Sequence, residues 1–202
     1  MGPPLLRVHH LTRADFREGL VLHRWGFVGA SLLAPALVSV LLLLLAAAEV
    51  PLDSARRWIG TALLAGYLPF ATIAYTSQYT FLPGLAERDV DTAALWYLHD
   101  AASLTYALDL TGDALLGMAA IVLASTLTGR RMRLTSIALA LVAMGVLSLV
   151  ALAFHAAGFR TATSIATVSS AVCTLPVMLL AIAEGRHLRR ATHGDSGCQP
   201  AR

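Results

Sequence analysis

The sequence predicts an all-α protein, a polytopic bundle of about five transmembrane helices. The chain is 57% hydrophobic and 13% charged, with a mean hydropathy of +0.69, which is too apolar for a soluble domain. Five apolar runs are each long enough to cross about 30 Å of hydrocarbon, and charged residues gather between them. All 15 basic residues are arginines, set mostly beside those runs, so they act as topology signals and not as a nucleic-acid footprint.

Residues 1–24 form a basic leader in which Leu5, Val8, Leu11, Phe16 and Leu20 have the spacing of an interfacial helix. The first span is expected over Gly26 to Ala48. Ala46–Ala48 imitates a signal-peptidase site, but the apolar run exceeds the usual 7–15 residues of a cleaved leader, so the helix is expected to be retained. Pro51–Arg57 is a loop, and the second span runs from Trp58 to Phe81 with a kink expected at Pro69. Thr72, Tyr75, Gln78 and Tyr79 share one of its faces at i, i+3, i+4 spacing. Leu85 to Leu95 is an acidic connector carrying Glu87, Asp89 and Asp91 against Arg88, and Trp96 and Tyr97 form an aromatic belt.

The third span follows the belt and ends near Thr128, closed by Gly129-Arg130-Arg131. The fourth, Leu134 to Ala157, is aliphatic apart from Ser148 and His155, which share a face, and Gly158–Arg160 is a tight turn. The fifth, Thr163 to Ala183, bears Ser164, Thr167, Ser169, Ser170, Cys173 and Thr174, with a kink expected at Pro176. Arginines from Arg186 to Arg190 stop it. Residues 25–190 thus form one transmembrane domain, followed by a polar tail, 191–202. Arginines divide eight against six between the two sides, which leaves the orientation open.

Function is sought where charge enters the apolar runs. On a helix continued back from the third span, His99, Tyr106, Asp109, Asp113 and Gly117 fall in one stripe, with Asp109 and Asp113 one turn apart. Asp100 points the other way and marks the water boundary. Antiparallel threading brings Tyr75, Gln78, Tyr79, His99, Tyr106, Asp109, His155, Ser164 and Thr167 into one half of the bilayer, with Asp113 near its midplane. A carboxylate there costs about 2.5–3.5 kcal/mol on insertion scales, so it should face protein or a wet cavity. Two carboxylates this close cannot both ionise cheaply.

The expectation is therefore an acidic intramembrane pocket that binds a small, partly apolar or amphipathic molecule. Asp109 and Asp113 are its polar anchors, or its catalytic groups if it is an enzyme. Tyr75, Gln78, Tyr79, His99, Tyr106 and His155 are its ligand-binding residues. One alternative is an acid-catalysed isomerase or cyclase acting on an isoprenoid-like substrate, in which Asp113 donates a proton and tyrosine faces shield a cation. Another is a proton- or cation-coupled transporter or a subunit of one, although the chain is short and shows no inverted repeat. The structural alternative is a buried carboxylate pair that locks helices together, with serine and threonine hydroxyls gluing them.

Other chemistry is excluded or unsupported. Without lysine there is no Schiff base. HExxH, GxSxG, CxxC, DDxxD and phosphate-loop motifs are absent. Cys173 and Cys198 make neither a disulfide framework nor a zinc spacing. His99, Asp109, Asp113 and His155 have no recognised ligand spacing, so no metal is expected, and no cofactor. The partners expected are the lipid bilayer and the small molecule, without nucleic acid, and an oligomer is left open.

Tyr75-Thr-Ser-Gln78-Tyr-Thr, followed by Ala107-Leu-Asp109-Leu-Thr-Gly112-Asp113-Ala-Leu-Leu-Gly117-Met-Ala, resembles the core of an uncharacterised family of small multi-pass bacterial membrane proteins, a domain of unknown function. The resemblance covers Trp58 to Ala124. It implies a helical fold and a bacterial inner-membrane location, and no activity.

Overall fold

A backbone in hydrocarbon must satisfy its N–H and C=O groups within its own segment, so apolar runs of this length become helices. The computed structural model describes residues 13–47, 51, 54–100, 102–127 and 132–194, and among them there are seven helices and no strand. They are α1 (Arg13–Ala47), α2 (Ala55–Tyr79), α3 (Leu82–Arg88), α4 (Val90–Ala94), α5 (Leu104–Leu127), α6 (Met132–Ala156) and α7 (Arg160–Gly194). Five of them, α1, α2, α5, α6 and α7, are long and apolar enough to cross a membrane. The 24 residues of α5 extend about 36 Å at 1.5 Å per residue. The chain is a multi-pass membrane protein with an all-α bundle.

The five long helices close into a ring of contacts: α1 on α2, α2 on α5, α5 on α6, α6 on α7, and α7 back on α1. Leu37, Leu41, Leu64, Leu123, Ile137 and Leu141 fill its interior. Leu32, Ile59, Leu139, Ile165, Val168 and Val172 are exposed on its outside, as a surface solvated by lipid requires.

Several boundaries differ from the sequence expectation. Arg13–Arg24, placed in the leader, belongs to α1, whose membrane-length segment begins at Glu18; residues 1–12 lie outside the described residues. The connector folds into α3 and α4. Asp89 starts α4 by accepting hydrogen bonds from Thr92 N–H (3.1 Å) and Thr92 Oγ1 (2.6 Å), a capping interaction that the acidic composition concealed. Asp89 also sits below the ordinary carboxylate range because Thr92 donates to its charged form.

The third membrane helix begins at Leu104, several residues after the aromatic belt. Ser103 Oγ accepts the Tyr106 N–H at 3.0 Å, which is an N-cap, and Asp100 Oδ1 accepts the Ala102 N–H at 2.9 Å in the turn before it. Thr128 to Arg131, read as the end of this span, lie outside the described residues. Pro35, Pro69 and Pro176 sit inside uninterrupted helices. The tight turn expected at Gly158 is present. Its φ is +82°, and Gly158 N–H donates to His155 O (2.9 Å) while Phe159 N–H donates to Phe154 O (2.9 Å). This pair of bonds closes a helix C-terminus and needs a residue without Cβ at the left-handed position. Beyond it, α7 runs past Arg186–Arg190 to Gly194, and residues 195–202 of the tail lie outside the described residues.

Candidate functional site

The geometry of the site starts with two glycines of α5. A Cβ on Gly112 would come within 2.9 Å of Phe70 Cβ on α2, and a Cβ on Gly117 within 2.8 Å of Gly145 O on α6. These glycines let α5 approach its two neighbours closely. At about 100° per residue they point about 140° apart around the helix, and Asp109 and Asp113 fall between them. Clamped on both flanks, α5 turns its carboxylates inward.

They face a partly open cavity of about 180 Å³ lined by α1, α2, α5 and α7. Ala30, Leu33, Ala34 and Leu37 of α1 form its apolar wall, at i, i+3, i+4, i+7 spacing. Tyr67 and Tyr75 of α2 lie two turns apart on the same face, and Thr167, Ser170 and Thr174 of α7 make a third lining stripe. Asp109 is buried, with the Tyr75 hydroxyl in hydrogen-bonding reach of its carboxylate.

Most hydroxyls around the cavity are already engaged. Ser170 Oγ pairs with Ser148 Oγ at 2.8 Å, and Thr174 Oγ1 donates to Ser170 O at 3.2 Å. Thr167 Oγ1 is different: it is buried without a hydrogen-bond partner among the described residues. The Tyr106 hydroxyl approaches Ser164 and Thr167, but at Thr167 the geometry does not close into a bond. Asp113 also has no hydrogen-bond partner among the described residues. Among the described residues, the cavity lining contains neither arginine nor histidine.

Of the residues expected at the site, Tyr75, Asp109 and Asp113 meet in this cavity. Tyr106 and His155 lie beside it as a ring pair with centroids 5.3 Å apart. The other three have different surroundings. Gln78 is buried and holds the connector: its Nε2 donates to Trp96 O (2.8 Å) and its Oε1 accepts the Leu98 N–H (3.0 Å). The Tyr79 hydroxyl pairs with Ser31 Oγ at 3.1 Å.

His99 precedes the Ser103 cap, so it is not on the α5 stripe. Its ring stacks on His23 of α1 at 4.5 Å and meets Phe27 and Tyr97. Burial among these rings, and secondarily the neighbouring His23, lowers the His99 pKa below its usual 6.5, while burial raises that of Tyr97. Thr72, placed on the Tyr75 face, is exposed. Among the described residues, no three of His, Cys, Asp and Glu gather in a way that could hold a metal ion.

Tyr67 and the α1 wall were missed. Tyr67 has a sequence signal, since it lies at i–8 from Tyr75 and so on the same helical face. Ala30–Leu37 has none, because an apolar face turned to a cavity and one turned to lipid have the same composition. The chain matches no protein-family model, no curated protein and no solved structure.

Proposed function

We propose that the protein binds a small, partly apolar molecule with a protonated amine head in the cavity between α1, α2, α5 and α7, and does so in a bacterial plasma membrane. One observation carries the proposal. Two carboxylates share a cavity whose lining, among the described residues, has no basic residue, so the compensating positive charge is left for an occupant to bring. A primary ammonium carries three N–H donors. Asp109 and Asp113 offer carboxylate acceptors in one cavity, and Thr167, which also lines it, has its Oγ1 buried without a hydrogen-bond partner among the described residues. Leu33, Leu37 and Leu116 supply apolar contact for a short carbon chain.

Size separates this reading from the cyclase. Pockets for drug-sized ligands run to about 300–1,000 Å³, and this cavity holds about 180 Å³. A compact amine fits that volume better than a long isoprenoid folded for cyclisation.

The test is thermal unfolding of the purified, detergent-solubilised protein with n-butylamine to n-decylamine and the matching alcohols. Amines should stabilise it, with an optimum chain length set by the cavity, and alcohols should not. Equal stabilisation by amine and alcohol, or stabilisation that keeps rising with chain length as detergent partitioning does, would count against the site.

A further inference from the structure

A second and larger cavity lies at the connector end of the bundle, outside the carboxylate site. It holds about 490 Å³ between the start of α1, the end of α2 and α3, within the size range of small-molecule sites. Its floor is fixed. Gln78 is buried and bonded to the backbone at Trp96 and Leu98, and Tyr79 is held by Ser31.

Its walls are of two kinds. Leu20, Val21, Pro83 and Ala86 are apolar, while Arg24 on α1 and Glu87 on α3 bring opposite charges to the same cleft. Both charged residues are exposed, and neither forms an ion pair or a hydrogen bond among the described residues. Two opposite charges across one cleft that leave each other unpaired match an occupant carrying both signs.

The surroundings indicate what the rest of that occupant is. Val21, Leu22 and Trp25 are exposed on α1, as is Phe81 before α3. Exposed aromatic and aliphatic residues beside an arginine, at the end of membrane-length helices, mark the depth of lipid headgroups. An arginine fork matches phosphate oxygens two at a time, and a carboxylate accepts from an ammonium.

We infer that the cleft between Arg24 and Glu87 binds a phosphoethanolamine headgroup, with the phosphate on Arg24, the ammonium on Glu87, and the acyl chains leaving past Val21 and Leu22. The same headgroup chemistry exists in water-soluble form as glycerophosphoethanolamine. The apolar walls and the exposed exit assign the cleft to the lipid.

Native mass spectrometry of the full chain, offered an equimolar mixture of phosphatidylethanolamine and phosphatidylglycerol, tests this. The wild type should retain phosphatidylethanolamine about tenfold more than phosphatidylglycerol, the discrimination of one charge-assisted contact. Arg24→Gln should lose retention of both, and Glu87→Gln should retain them equally. Equal retention by the wild type overturns the inference even where a variant fails to fold. An unchanged lipid preference in both folded variants overturns it too. Complete displacement of the bound lipid by glycerophosphoethanolamine overturns the assignment to a lipid and gives the cleft to the soluble headgroup.

Discussion

Asp113→Asn removes a charge while keeping side-chain volume, and the surroundings of Asp113 make the consequence calculable. Because the carboxyl has no hydrogen-bond partner among the described residues, its replacement deprives no neighbouring donor of an acceptor. The variant should therefore lose no stability, and any gain is bounded by the insertion cost of a carboxylate near a bilayer centre, about 2.5–3.5 kcal/mol. Amine binding should respond much more. A hydrogen bond to a charged group contributes about 1.5–3 kcal/mol, and about 1.4 kcal/mol is tenfold in affinity, so the variant should bind about ten- to a hundredfold more weakly.

The assay is the shift in unfolding temperature with the best alkylamine at about a hundred times its wild-type dissociation constant. There the wild type gains about 2.7 kcal/mol, which on soluble-protein scaling is about 5–10 °C. A thirtyfold weaker variant gains about 0.9 kcal/mol, or about 2–3 °C. Asp100→Asn, in the turn before α5, should leave the full shift and serves as control. An Asp113→Asn protein that keeps the wild-type shift would refute the ammonium site. One that fails to fold would give the carboxylate a structural role instead.

Three further outcomes follow from the packing. Gly145→Ala places a Cβ 2.5 Å from Gly117 O and 2.8 Å from Ile121 Cγ1; a backbone oxygen cannot rotate away, so α5 and α6 must separate. The expected cost is about 1–3 kcal/mol in detergent unfolding, and an unchanged midpoint would contradict the close approach. Gln78→Leu leaves the Leu98 N–H without its acceptor, while Trp96 O keeps Thr105 Oγ1 as a donor at 3.0 Å; the stranded N–H should cost about 1–3 kcal/mol and speed hydrogen exchange at Leu98, and an unaltered exchange rate would show that the connector is held elsewhere. For His99 the folded-state pKa lies below 6.5, chiefly through burial and then through His23. The unfolded chain therefore binds more protons just below pH 6.5, and stability should fall as pH is lowered through that value. His99→Gln should flatten the decline in melting temperature between pH 7.5 and 5.5, and an equally steep decline in that variant would exclude His99 as its source.

The parts of the fold legible in the sequence were those that hydropathy alone decides. The middles of all five membrane helices were evident, while their ends depended on single capping side chains. Ser103 moved the start of α5 beyond His99, and Asp89 turned a connector into two short helices. The carboxylate pair was legible because i, i+4 spacing survives any docking of the helix. What surrounds it was legible only in part. Tyr75 shares a helical face with Tyr67, but nothing in a stretch such as Ala30–Leu37 distinguishes a cavity wall from a lipid-facing surface. Gln78 and Tyr79 had the right polarity for a ligand site, yet they bond to Trp96, Leu98 and Ser31. Polarity within an apolar run locates a buried hydrogen bond, and it does not say whether the partner is protein or ligand.

That distinction can be argued for Asp109 and Asp113 from how α5 adheres to its neighbours. If the pair served to lock helices, α5 should present its carboxylates to donors on α2 or α6 and have little other close contact with them. Only Asp109 meets such a donor, the Tyr75 hydroxyl of α2, and α5 has close contacts of its own with both neighbours. Gly112 and Gly117 bring α5 against α2 and α6 at backbone distance, and Leu110, Leu116 and Leu123 are buried along its length. Of the two carboxylates, Asp109 has the Tyr75 hydroxyl within reach, while Asp113 has no hydrogen-bond partner among the described residues. Packing therefore holds α5 without the acids. The insertion cost of Asp113, about 2.5–3.5 kcal/mol for a carboxylate near a bilayer centre, is not offset by any hydrogen bond it makes among the described residues. Across the same cavity Thr167 Oγ1 is a second polar group left unpartnered. Unpartnered groups on two facing helices, in a space large enough to hold atoms, are a cost that a cationic occupant would remove.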